Sequence, residues 1–195
     1  MTVMAERTSQ MPVEDFEELA AAAPETVTLE FINGRLEVKP VTDNKHAALV
    51  AWLVRQCMQA RPELDLVTTQ QLKVERYRKG RAVPDGTLVP IDHLVDQESD
   101  WADPEGVLMA VEVTSYDSDT ESRDRREKPA AYAAAGIPVH LLVDRDRQAL
   151  AVHTGPDVDH GQYLHVDIVP FGEKTTLPDP VGIPLDTEPL KKYVR

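Results

Sequence analysis

Two acidic residues and one lysine in the middle of the chain are of the types that metal-dependent phosphate chemistry uses. Asp85 stands in "VPDGTLV", Glu112 in the apolar run "LMAVEVTS" and Lys128 in the basic segment "RDRREK". Carboxylate oxygens bind Mg²⁺ or Mn²⁺, and such an ion lowers the pKa of its bound water and neutralises phosphate charge. A nearby lysine could orient the attacking water or stabilise charge in the transition state. Together these side chains indicate hydrolysis of a phosphate ester.

Each of these residues also has an explanation that involves no chemistry. Pro-Asp-Gly between apolar runs is a common turn sequence, because Pro fixes φ, Asp bonds its own backbone and Gly adopts positive φ. Glu112 could lie on the solvent side of an edge strand, and Lys128 could form an exposed ion pair with Asp124. If Glu112 is buried, it needs a partner. If the strands that carry Asp85 and Glu112 are antiparallel neighbours, the two acids meet at one edge of a sheet.

The first part of the chain is predicted to form two helices separated by a hairpin. The segment "VEDFEELAAAA" has helical spacing and ends before a proline. Asn33-Gly34 is expected to join two strands, because both residue types tolerate the positive φ of a tight hairpin turn. A long amphipathic helix follows, with Asp43 or Asn44 as its N-terminal cap.

The rest of the chain is predicted to be rich in strands. The segments "LDLVTTQQLKVERY" and "VPDGTLVP" are extended, and "VLMAVEVTS" is a buried strand. A helix over "SDTESRDRREKPAAYAAAG" separates it from the apolar strand "PVHLLVD" and a β-rich C-terminus. This order predicts an α/β fold, in which a mixed sheet is flanked by helices.

Length and composition indicate one soluble domain. The 195 residues are expected to form a single domain over residues 13–195, preceded by a disordered segment over residues 1–12. The only cysteine, Cys57, excludes an internal disulfide and indicates a reducing, cytoplasmic compartment. The sequence contains no signal-peptide pattern and no apolar stretch as long as a membrane helix.

The charge balance argues against broad affinity for nucleic acid, because 34 acids against 21 bases give a net charge of −13. Basic residues are nevertheless clustered around the segments that carry the candidate site. We predict that six of them contact the DNA backbone: Lys73, Arg76, Arg78, Lys79, Arg81 and Arg125. The alternative is that both clusters are solvated faces.

The motifs in their order resemble the Uma-type restriction endonuclease family of the PD-(D/E)XK nuclease superfamily. The resemblance lies in "VPDGTLV", "LMAVEVTS" and "SRDRREKPAAYAAAGIPVHLLVD", and in the upstream segment "LEFINGRLEVKPVTDNKHAALVAWL". It covers residues 12–185 and implies a restriction-endonuclease-like core with a mixed sheet. It also implies a Mg²⁺- or Mn²⁺-dependent endonuclease that acts on DNA, and a homodimer is plausible by analogy with enzymes that cut both strands.

The resemblance assigns roles to individual residues. It implies that Asp85 and Glu112 bind the metal ion and that Lys128 is the catalytic lysine. Glu30 resembles an additional upstream acid that can complete the metal site, and His46 resembles the family's histidine at a helix entry. Alternatively, Glu30 is an exposed strand residue and His46 bonds the backbone at the helix start.

Two further residues are accessory candidates, and one departs from the expected pattern. The superfamily pattern has its lysine two positions after the acid, where this chain has Thr114, whereas the family resembled has it on the next helix, where Lys128 falls. Tyr132 follows Lys128 by one helical turn and shares its helix face. Pro129 should kink the helix or begin it, and it should bias Lys128 away from helical geometry.

Three functions are compatible with these residues. The first is a metal-dependent endonuclease that hydrolyses DNA phosphodiesters, with weak or selective binding because of the acidic charge balance. The second is a nuclease-fold binding or regulatory protein with little or no catalysis, which Pro129 and the net charge favour. The third is a metal-dependent hydrolase of a small phosphorylated compound.

Overall fold

Most of the protein is organised around one six-stranded sheet. The structure is a computed structural model and describes residues 11–74, 79–116 and 122–194. The strand order in the large sheet is β10-β9-β8-β7-β6-β3. These strands are β3 (Leu64–Val67), β6 (Gly86–Pro90), β7 (Met109–Val113), β8 (Val139–Asp144), β9 (Ala149–Asp157) and β10 (Gln162–Pro170).

The large sheet is mixed, as predicted. β7 and β8 are parallel, and the other neighbouring pairs in this sheet are antiparallel. A parallel pair needs a crossover, and the helical segment after β7 supplies it. Every residue of β7 and of β8 is buried, which explains why both strands read as continuous apolar runs interrupted by few polar residues.

A second sheet of four short strands holds the N-terminal hairpin. Its order is β2-β1-β5-β4. Asn33 and Gly34 have φ values of 53° and 72°, so the predicted hairpin turn is confirmed. The strands are β1 (Leu29–Ile32), β2 (Arg35–Val38), β4 (Leu72–Val74) and β5 (Gly80–Ala82). The segment predicted as one extended stretch therefore contributes β3 to the large sheet and β4 to the small one.

Helices cover the sheets, and two short strands close the C-terminal region. Among the described residues, the α-helices are α1 (Val13–Ala22), α2 (Asn44–Ala60) and α3 (Lys128–Ala134). The side chain of Asp43 caps α2 by accepting a 2.9 Å hydrogen bond from the backbone N–H of His46. After β11 (Lys174–Thr176) and β12 (Pro184–Asp186), a 3₁₀ helix spans Glu188–Tyr193. Within the described residues, no helix combines the length and apolar character needed to cross a membrane.

The crossover between β7 and β8 corrects the predicted effect of Pro129. A π-helical turn over Arg123–Glu127 leads directly into α3, whose first residue is Lys128. Lys128 has helical geometry, with φ −65° and ψ −47°, and its N–H bonds to the carbonyl of Arg123, five residues earlier. Pro129 thus lies inside a continuous helical segment, and the π-helical turn directly before it is the kind of irregularity that accommodates a proline there.

Two apolar cores lie on either side of the large sheet. Leu49, Trp52 and Leu53 of α2 pack on one face with the C-terminal region. Ala131 and Tyr132 of α3 belong to the cluster on the other face. Burying an aliphatic or aromatic side chain contributes roughly 1.5–3 kcal/mol, so these contacts fix the positions of α2 and α3 relative to the strands between them.

Candidate active site

The register of β6 and β7 brings Asp85 and Glu112 together. Gly86 pairs with Val111 in this antiparallel pair, so Asp85, one residue before β6, lies opposite Glu112. The backbone N–H of Val113 donates a 2.8 Å hydrogen bond to Oδ2 of Asp85. The conditional expectation from the sequence is therefore met, because the strands are antiparallel neighbours and the two acids share one end of the pair.

Gly86 permits this close packing beside Asp85. A Cβ atom at Gly86 would lie 3.0 Å from Cδ1 of Leu66 on the neighbouring strand β3. Gly86 does not have a positive φ, so a tight turn does not explain the glycine at this position. The close approach of β3 explains it instead, because a side chain at this position would contact Leu66. The alternative that Pro-Asp-Gly forms a turn is therefore wrong, because strand β6 begins at Gly86.

Asp85 is buried and is held by two cationic or hydrogen-bonding side chains. Its Oδ1 lies 2.8 Å from Nζ of Lys39, and its Oδ2 lies 3.2 Å from Nε2 of His46. Burial acts to raise the pKa of Asp85, but Lys39 and the hydrogen bond from His46 outweigh it and hold the pKa well below the usual range. Asp85 is therefore a carboxylate at neutral pH.

Glu112 faces the helix that follows its own strand. Its Oε1 lies 3.0 Å from Nζ of Lys128, and the same oxygen accepts a hydrogen bond from the hydroxyl of Tyr132. Burial raises the pKa of Glu112 above its usual value, although the nearby ammonium of Lys128 opposes this shift. Burial also raises the pKa of Tyr132, which keeps its hydroxyl protonated as a donor.

Glu30 completes the surroundings of Lys128 from the other sheet. The residue is fully buried on β1, and its Oε1 lies 3.1 Å from Nζ of Lys128. The same oxygen accepts a 2.7 Å hydrogen bond from the backbone N–H of Val83. The alternative of an exposed strand residue is therefore wrong for Glu30.

Lys128 lies at the centre of this cluster and is 1% exposed. Burial would lower its pKa, but Glu112 and Glu30 outweigh that effect and raise the pKa above its ordinary value. The suggested surface ion pair with Asp124 is replaced by these contacts, since Asp124 pairs with Arg123 at 2.8 Å. Lys128 is therefore a buried ammonium group that faces both sheets.

The cluster contains the carboxylate oxygens that a magnesium or manganese ion prefers as ligands. Asp85, Glu112 and Glu30 offer carboxylate oxygens, and Oε2 of Glu30 is buried without a hydrogen-bond partner in the described structure. Among the residues that the structure describes, no three His, Cys, Asp or Glu side chains are arranged to hold a metal ion. The carboxylates are instead engaged by Lys39 and Lys128, so the present arrangement is an ion-paired cluster.

Thr114 lies outside this cluster. Its hydroxyl accepts a 2.9 Å hydrogen bond from the backbone N–H of Arg145, and its carbonyl accepts one of 2.8 Å from Nε of the same arginine. Arg145 is itself fully buried and bonds to Asp43 at the start of α2. Thr114 thus ties the end of β7 to the loop after β8.

The basic residues expected to contact DNA do not form one free basic surface in the described structure. Three of them pair with acids, and these pairs are Lys73 with Asp103, Lys79 with Glu14 and Arg81 with Glu17. Arg125 is held by Asp144 at 2.7 Å and by Asp146 at 3.1 Å. Arg76 and Arg78 lie outside the described residues. Because acidic side chains pair with these four bases, the basic runs in the sequence do not produce a surface with a large net positive charge.

Lys39 is the site residue that the sequence did not reveal. It follows β2, and its ammonium bonds to the carbonyl of Val83 as well as to Asp85. An isolated lysine after a hairpin has no distinguishing spacing, because its approach to Asp85 depends on how the small sheet packs. The only available signal was its place in the hairpin arm that pairs with the strand carrying Glu30.

Comparison with known proteins agrees with this architecture. A solved structure described as a putative nuclease belonging to DUF820, from Anabaena variabilis ATCC 29413, superposes with a TM-score of 0.72 at 15% sequence identity. The match covers 94% of this chain and 98% of that one, so the fold is shared over its whole length. No curated protein matches the chain.

A family model provides the remaining comparison. The model described as "Putative restriction endonuclease" matches residues 13–188, which include every described member of the cluster around Lys128. A match over this much of the chain establishes membership. The chain belongs to the Uma2 family of restriction-endonuclease-like proteins.

Proposed function

We propose that this protein is a Mg²⁺- or Mn²⁺-dependent endonuclease that hydrolyses phosphodiester bonds in DNA. The observation that carries the proposal is the convergence of Asp85, Glu112 and Lys128, from three separate segments, in one buried cluster. Membership of the family described as "Putative restriction endonuclease" supports the nuclease activity. Cytoplasmic localisation is proposed with it, from the single buried cysteine, Cys57.

The side chains have distinct proposed tasks. Asp85, Glu112 and Glu30 would hold the ion, which when bound supplies an activated water and neutralises phosphate charge. Lys128 would orient the nucleophilic water or stabilise the negative charge that develops on the phosphate. His46 and Tyr132 would fix the orientation of Asp85 and Glu112, since each bonds directly to one of those carboxylates.

Cleavage of plasmid and single-stranded DNA in the presence of Mg²⁺ or Mn²⁺ tests this proposal. Asp85→Asn, Glu112→Gln and Lys128→Met should each lower the rate by at least about a hundredfold, because each removes a charge that acts on the reacting phosphate. Glu63→Gln, which removes a surface carboxylate paired with Arg61 outside the cluster, is the matched control and should cleave normally. Undiminished cleavage by Asp85→Asn would refute the assigned mechanism.

A second function is favoured by the ion pairs that already engage the carboxylates of the cluster. The lysines already neutralise most of the carboxylate charge, and the net charge of the chain is −13. Both observations suit a nuclease-fold binding or regulatory protein without catalysis. Calorimetric titration with Mn²⁺ separates the two functions, because the second predicts no heat of binding from either the wild type or Asp85→Asn.

A homodimer is the proposed assembly. β10 lies at one edge of the large sheet, and within the described structure its only strand partner is β9. Its side chains Leu164, Val166 and Ile168 form an exposed apolar row. A second copy could pair along this edge about a two-fold axis. Light scattering tests this, and a monomer at micromolar concentration would contradict it.

A further inference from the structure

Lys39 contacts the carboxylate oxygen of Asp85 that Val113 and His46 leave free. Oδ2 of Asp85 is already engaged by the N–H of Val113 at 2.8 Å and by Nε2 of His46 at 3.2 Å. Oδ1 faces Nζ of Lys39 at 2.8 Å. A cation that uses Asp85 as a ligand without breaking those two contacts therefore has to bind Oδ1, where it meets the positive charge of the Lys39 ammonium.

The sum of the charges in the cluster also indicates that one ammonium group leaves when a divalent ion binds. Glu30, Asp85 and Glu112 supply at most three negative charges, and Lys39 and Lys128 supply two positive ones. Adding a divalent ion to this set would place four positive charges against three negative ones in a buried site. Removing one ammonium group restores balance, and buried charges are tolerated only when they are balanced.

The structure also indicates which lysine can leave. Lys128 is fixed in the first turn of α3, and its side chain is 1% exposed. The side chain of Lys39 is 12% exposed, and residues 39–43 between β2 and α2 form no helix or strand. Val41, two residues further along this connection, is almost wholly exposed.

We propose that Lys39 is a built-in counter-ion that occupies the cation position of Asp85 and is displaced when a divalent metal ion binds. This inference rests on the proposed function, because it requires Asp85 to be a metal ligand. Lys39 is accordingly a positioning residue that keeps the carboxylates together in the metal-free protein. Its presence makes metal binding weaker than the carboxylates alone would allow.

Calorimetric titration with Mn²⁺ in the absence of DNA tests the inference. Lys39→Met should bind Mn²⁺ at least about tenfold more tightly than the wild type, because no charge-assisted contact has to be broken first. Lys45→Met, at an exposed lysine on α2, is the matched control and should bind as the wild type does. Equal or weaker binding by Lys39→Met would overturn the inference.

A second measurement uses the wild type and does not depend on the folding of a variant. Lysine acetylation followed by mass spectrometry should label Lys39 faster when Mn²⁺ is added, while labelling of Lys45 stays constant. Unchanged labelling of Lys39 under conditions where calorimetry shows Mn²⁺ binding would overturn the inference alone. Absence of Mn²⁺ binding in both the wild type and Lys39→Met would instead overturn the metal assignment on which it rests.

Discussion

The ammonium of Lys128 lies 3.0 Å from the carboxylate of Glu112 and 3.1 Å from that of Glu30, and all three side chains are buried. This contact joins α3, the large sheet and the small sheet at one point. The lysine is therefore part of the structural core as well as the proposed reacting group. Its removal should change stability and activity together.

We expect Lys128→Met to lower the free energy of unfolding by about 3–5 kcal/mol, because it leaves buried carboxylates without their cation. Urea unfolding at pH 7 measures this change. Lys73→Met removes the exposed pair with Asp103 and should cost no more than about 1 kcal/mol. Equal losses in the two variants would contradict the buried cluster.

Tyr132→Phe should separate support of the site from ordinary packing. Losing the hydroxyl that bonds to Glu112 should cost about 1–3 kcal/mol of stability, because it removes a hydrogen-bond donor from a buried acceptor. Cleavage should fall by about tenfold or more, as happens when a ligand loses its supporting bond. Tyr163→Phe, which removes a 2.8 Å bond to the carbonyl of Ile137, is the matched control and should leave the cleavage rate unchanged. Equal cleavage by the two variants would contradict the role of Tyr132.

Gly86→Ala should destabilise the protein by about 1–3 kcal/mol through overpacking against Leu66. The double variant with Leu66→Val should recover part of this loss, because the shorter side chain removes the contacting methyl group. Thermal or urea unfolding of the two single variants and the double variant gives the coupling energy. Strict additivity would show that the strand contact is not the cause.

Acid should weaken the protein partly through Asp144. Burial acts to raise the pKa of Asp144, but the hydrogen bond from Arg125 and other contacts lower it below 3.8 overall. A carboxyl whose pKa is lowered on folding stabilises the fold above the unfolded-state pKa, and this contribution is lost as the pH falls through the folded-state pKa.

The difference in unfolding free energy between the wild type and Asp144→Asn should therefore be largest near pH 7 and shrink below pH 4. Urea unfolding over this range measures it. A difference that is independent of pH would mean that Asp144 contributes only through packing.

The sequence predicts the two central acids well because their positions follow from local rules. The apolar run around Glu112 indicates a buried strand, and a short strand after Pro84 places Asp85 beside Glu112 once the two strands pair. Lys39 could not be predicted in this way, since its contact with Asp85 is formed between two sheets. The ion pairs of Lys79 and Arg81 could not be predicted for a similar reason, because their partners lie on α1.

The cluster draws its groups from both sheets, with Glu30 on the small sheet and Glu112 on the large one. Separating the sheets locally would require less free energy than unfolding the large sheet, whose central strands are buried on both faces. Amide hydrogens of the N-terminal hairpin should then exchange with solvent sooner than those of β7 and β8. Local separation of the two sheets would therefore disrupt the proposed active site while the large sheet stays folded.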